Sequence, residues 1–283
     1  MKRAAIVVAV LGMCVWGFGQ TKPATQGQAA GAGQAAGAGQ NAGQAAAPQG
    51  KRSPAAKTQP EFEAYKTAAA LTDPAQLEKA AGDFATKFPD SELRVLLFRQ
   101  AMHAYQNANN GDKMEEMGHK ALAIDPDDPE ALLAVAQVIA EGTRETDIDR
   151  DQKVAEAKKD AERALVTVDT DVPTMNNPPE KVDQYKRFLK SEAYAILGTL
   201  ATNAKNYPEA EANLKKSIEV FPEQVDSVAV LRLAVALDMQ NKIPDALKYA
   251  NQAVDLTKDH PDSPAGKAAR AEQDRLTKLN GGK

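Results

Sequence analysis

Cysteine, aromatic residues and, over the first sixty positions, acidic residues are what this 283-residue chain has least of. The single cysteine, Cys14, has no second thiol to join, so no intrachain disulfide can staple the fold. Aromatic residues make up 5% of a chain that is 43% hydrophobic, so Ala, Leu and Val must supply the core, and close helix-on-helix packing is favoured. The three histidines, His103, His119 and His260, form no ligand pair at helical spacing with a carboxylate, and no zinc signature occurs. GxSxG, phosphate-loop and dinucleotide patterns are missing as well. No metal, cofactor or catalytic residue is expected, and binding is the function class that remains.

Charge is unevenly placed. Residues 1–60 carry six basic residues and no acid, which leaves 29 basic against 39 acidic residues, about −10, for the remainder. A nucleic-acid partner needs a clustered basic face, and the remainder has none. The first twenty residues join Lys2 and Arg3 to an apolar run from Ala4 to Phe18, with small residues at Gly17 and Gly19. That is the plan of a secretory signal over 1–19, and it predicts export to the periplasm or the medium. The run is shorter than the roughly 18 to 20 residues a bilayer span needs, so a retained anchor facing the periplasm is the alternative. A lipidated Cys14 is a further alternative that "LGMC" only partly supports, because Met13 stands where a small residue belongs.

Residues 20–60 are rich in Ala, Gly and Gln and have almost nothing to bury, so they read as a disordered linker. From Glu61 the pattern becomes helical and punctuated. "FPDS" at Phe88–Ser91, "DPDD" at Asp125–Asp128 and "FPEQ" at Phe221–Gln224 each close an amphipathic stretch with proline and an acid. In the clearest unit, Ser191–Gln224, Tyr194, Leu197 and Gly198 mark a first helix, and Ala210, Leu214, Ser217, Ile218 and Pro222 mark a second. A second unit, Val95–Asp128, holds Phe98, Tyr105, Ala121, Leu122 and Pro126 in the same register. A third begins at Pro129, with Ala157, Ala161 and Ala164 on its second helix. A fourth, Ser227–His260, carries Leu233, Ala234, Leu237, Ala246, Ala250 and Ala253.

These units, about 34 residues apart, resemble the tetratricopeptide repeat. The resemblance implies an all-α, right-handed superhelical solenoid of antiparallel helix pairs over 61–283. It would comprise about five pairs and a polar capping helix, Ser263–Leu279. Two steps are long: 43 residues from Ala121 to Ala164, and 53 from Ala164 to Ser217. Insertions are therefore expected at Thr143–Gln152 and Val168–Asp183.

By the same resemblance, first helices line a concave groove that holds a peptide or helix of a partner protein. Arg99, His103, Gln106, Gln137, Thr199, Asn203, Arg232 and Asp238 are the groove positions it implies. Reversing Arg99 and Arg232 to glutamate should then weaken binding without unfolding the array. A clamp for a chaperone C-terminus is not expected, because Ala134, Glu192 and Ala195 stand where its later members belong. The chain so read is a non-enzymatic scaffold of the cell envelope. The alternative is an envelope assembly or cell-division factor similar to repeat-bearing lipoproteins, to which "KFPDSE" at Lys87–Glu92 is similar. The aspartates of "DIDRD", Asp147, Asp149 and Asp151, have calcium-loop spacing. The glycine and glutamate such a loop needs are replaced by Gln152 and Lys158, so these acids are expected to cap a helix.

Overall fold

The computed structural model describes residues 51–173 and 178–281, and every regular element in them is a helix. In chain order these are α1 (Gln59–Ala69), α2 (Pro74–Lys87), α3 (Arg94–Asn107), α4 (Gly111–Leu122), α5 (Pro129–Gly142) and α6 (Arg150–Asp171), then α7 (Pro179–Asn203), α8 (Tyr207–Val220), α9 (Ser227–Asp238), α10 (Ile243–Leu256) and α11 (Pro264–Gly281). No described helix is long and apolar enough to cross a membrane. The signal-like segment, Cys14 and the linker up to residue 50 lie outside the described residues.

Local chemistry sets the helix ends. Thr58 caps α1 in a reciprocal box with Glu61, while Asp73, Asp128 and Asp226 accept N–H bonds at the starts of α2, α5 and α9. Prolines follow Phe88 and Phe221 where α2 and α8 stop, and a residue before proline is held out of the helical region.

Each helix packs on its chain neighbours, and the odd-numbered helices also touch one another in succession, α1 to α3 through α9 to α11. The even-numbered helices make no comparable contact among themselves. The core is correspondingly serial. One apolar cluster spans α1–α5 around Leu97 and Met117, the next α5–α7 around Val135 and Val168, and two more α7–α11 around Leu214, Leu233 and Leu276. Small residues bring the helices close. A Cβ on Gly198 of α7 would sit 2.5 Å from Leu214 Cγ of α8, and one on Gly118 of α4 would sit 2.7 Å from Val135 Cγ2 of α5.

The turns inside three pairs share one geometry that the residue pattern does not announce. Asn109, Lys205 and Asn241 each adopt positive φ, at 54°, 61° and 61°. The following N–H, of Asn110, Asn206 and Lys242, donates to a carbonyl five residues back, on Tyr105, Ala201 and Leu237. This is the left-handed closure that satisfies orphan carbonyls at a helix end.

The structure fills in one expectation and revises another. The step around Val168–Asp183 is mostly helix: α6 runs for 22 residues to Asp171 and α7 for 25 from Pro179, with Val168 and Leu189 buried in one cluster. The other step is an exposed loop, residues 143–149, before α6. The linker also ends earlier than residue 60. From Lys51 onward the chain is bonded to the body, because Lys51 N–H donates to Thr170 O and its ammonium sits 2.6 Å from Asp125 and 3.0 Å from Asp171. Arg52 pairs with Glu92 at 2.6 Å, and Lys57 Nζ donates to Asp90 O. This non-helical strap therefore crosses the turns that separate the first three helix pairs and the end of α6.

Candidate functional site

The contiguous face of odd-numbered helices is where the eight residues expected to meet a partner can be located. Arg99 on α3 is committed to the protein itself: its Nη1 lies 3.1 Å from Asp128 and 3.0 Å from Glu130. His103, one turn on, places Nε2 2.8 Å from Glu130 and Nδ1 3.4 Å from Gln106. The Tyr185 hydroxyl of α7 also bonds Glu130, and burial with that charge pushes the phenol well up. Burial raises the Glu130 carboxyl, but the Arg99 guanidinium and the His103 bond outweigh it and hold the group at about 2. Burial lowers His103, and the same Glu130 bond more than restores it, leaving the imidazole above its ordinary value.

A second group lies further along the face. Gln137 bonds Glu141 on α5, and Arg232 of α9 stands 3.6 Å from that carboxylate. Asp238 is taken by Arg275 of α11 at 2.6 Å, and Asn203 Nδ2 donates to Ala140 O, tying α7 to α5. Thr199 does not present itself to a partner. It is buried at 4% exposure, and its hydroxyl donates to Ala195 O in its own helix.

The structure therefore brings Arg99, His103 and Gln106 together, and Gln137 with Arg232, and pairs Arg99, His103 and Arg232 with carboxylates of neighbouring elements. The double reversal of Arg99 and Arg232 would not be a clean binding probe. A glutamate at 99 would face Asp128 and Glu130, and breaking a buried pair this way costs roughly 3–5 kcal/mol.

The residue that pattern reading passed over is Glu192. On α7, half-buried, it faces His103 of α3, Glu130 of α5 and Asp226 at the start of α9. Burial pushes its carboxyl up to about 8; His103 opposes the shift, and Asp226 and Glu130 add to it. It has no hydrogen bond or ion pair among the described residues. In the sequence it showed only as a mismatch to a clamp position.

The aspartates of "DIDRD" are engaged locally. Asp147 accepts from Arg144 N–H, Asp149 pairs with Lys153 and Asp151 with Arg150. Asp149 does occupy the position before α6, but its side chain accepts no backbone N–H there, contrary to the capping expected of it.

No family model matches this chain, and no curated protein matches it. Among solved structures it is similar to one titled "Assembly Chaperone of RpL4 (Acl4) (Residues 1-338)", at 12% identity and a TM-score of 0.40, over 78% of this chain and 98% of that one.

Proposed function

We propose that the chain is a tetratricopeptide-like scaffold that binds a segment of another protein along its odd-numbered helices, without catalysing a reaction. One observation carries the reading: odd helices touch their successors across pairs and the even helices make no comparable contact. A stack that closes up on one side bends toward that side, so the odd face is the inside of a curve, a right-handed superhelix by the resemblance in the repeats.

Rigid stacked helices suit capture of a peptide or helix with little change in the scaffold. Residues 1–19 supply the reason to place this scaffold in the envelope or outside the cell, and sequencing the mature N-terminus tests that placement. For the binding face, a photo-crosslinking residue is introduced at Gln106 or Gln137 on odd helices and at Lys159 on α6, and adducts are compared in cells. Protein adducts from the odd helices alone are expected. Adducts arising equally or only from position 159 would refute the assignment.

A further inference from the structure

Groups from α3, α5 and the start of α9 surround the Glu192 carboxyl of α7, which has no hydrogen bond or ion pair among the described residues. The local charges divide unequally. Arg99 is consumed by Asp128 and Glu130, and Arg232 faces Glu141. Asp226 accepts the Val228 and Ala229 N–H groups at the start of α9. His103 gives its Nε2 to Glu130. Glu192 is left with two acids among its charged neighbours, Glu130 and Asp226, and His103 as the opposing charge. A half-buried acid in that position is held largely protonated at neutral pH and lacks a donor that a ligand can bring.

We propose that Glu192 anchors a lysine or arginine side chain of the bound protein segment, seated where α3, α5, α7 and the start of α9 meet. This rests on the odd-face reading and names the chemistry of its partner. Charge complementarity selects the occupant. An acidic segment would add to Glu130, Glu192 and Asp226, and a purely apolar one would leave the carboxyl without a partner. The same chain shows the pairing in small, where Lys51 of the strap sits between Asp125 and Asp171. A cation at Glu192 must displace the carboxyl's proton, so binding releases a proton and tightens as pH rises through about 8. His103, Glu130, Asp226, Arg99 and Tyr185 are the other titrating or charged groups around the site, and of these His103 alone has an ordinary pKa near that range.

The test uses the isotopically labelled full chain and the probe acetyl-Gly-Ala-Lys-Ala-Gly-amide at millimolar concentration, beside a twin with norleucine for lysine. Expected are amide shifts confined to residues flanking Glu192 on α3, α5, α7 and α9, and a fall in the Glu192 carboxyl pKa on adding the lysine peptide. Affinity should drop about tenfold or more in Glu192→Gln. Circular dichroism and melting must show that this variant stays folded. Equal binding of both peptides to the odd face would overturn the cation anchor while leaving the odd face as a binding surface. Shifts centred on Asp125 and Asp127 instead, undiminished binding by Glu192→Gln, or no shifts at all would also overturn the anchor. The odd-face reading is judged separately by the crosslinking pattern above.

Discussion

Replacing Gly198 with alanine should destabilise the protein, although alanine is the better helix former. On a free helix the change would gain roughly 0.5–1 kcal/mol, because glycine loses more backbone freedom on folding. Here the new methyl would lie 2.5 Å from Leu214 Cγ, 2.8 Å from its Cδ2 and 3.4 Å from its backbone nitrogen. Leu214 is fully buried, so it has no open space to swing into, and α7 must move away from α8. Forcing a methyl into such a contact costs typically about 1–3 kcal/mol. The steric cost therefore exceeds the propensity gain, and a net loss of about 1–2 kcal/mol is expected. Gly82→Ala is the control, since a Cβ there meets nothing within 4 Å in the middle of α2, and it should gain the full propensity term. Urea titrations of the two variants, read as midpoints at a shared slope, should move in opposite directions. A Gly198→Ala protein as stable as the parent would refute the close crossing of α7 and α8. Leu214→Ala in that background should relieve the clash, so the two changes together cost less than their sum.

Other perturbations have signs fixed by geometry. Lys205→Gly should stabilise by a few tenths to about 1 kcal/mol, because Lys205 holds φ 61° without the tolerance of the asparagines in the matching turns, and its pairing with Glu145 is exposed. Thermal melting of Lys205→Gly beside Asn241→Gly, where the gain should be smaller, checks this. The Glu192 carboxyl is raised in the folded state, so its unfavourable contribution grows as pH climbs from about 4.5 to about 8. Glu192→Gln should then gain stability over the parent across that window in melts at stepped pH. His103 is also raised, so the stability it lends is complete below the ordinary imidazole value and fades above it, and His103→Gln should flatten the profile above that ordinary value of about 6.5. Lys51→Met should lower stability by about 0.5–1 kcal/mol at low salt and less at high salt, since its ammonium is part-exposed between two carboxylates.

The alternation of helices and the small residues at their crossings were legible because both are local. Ala210, Leu214 and Gly198 sit at helical spacing, and the prolines after Phe88 and Phe221 end helices without help from tertiary structure. The strap was not legible, because "KRSPAAKTQP" has a linker's composition and its partners lie 40, 74 and 120 positions away at Glu92, Asp125 and Asp171. The stretch around Val168–Asp183 read as an insertion because the step from Ala164 to Ser217 is long, while the burial of Val168 beside Leu189 that makes most of it helix is a long-range fact. Lys205 carried no turn signal, since lysine is not a residue that favours positive φ. At the face, polar residues on first helices could be enumerated, but which of them were already spent on Glu130, Glu141 or Arg275 depended on neighbouring helices. Glu192 could be found only by noticing which acid had been left out.

The strap also decides where a pull on the N-terminal side of the chain is felt. Because Lys51 is bonded to Thr170, Asp125 and Asp171 before the chain reaches α1, whatever precedes it joins the array beside the end of α6. A tug transmitted along that leader loads the middle of the stack first and α1 only after the strap has been peeled away, contact by contact, toward Lys57. The end of α6 and the turn into α5 are thus mechanically nearer to the leader than α1, the helix that follows the strap in the chain.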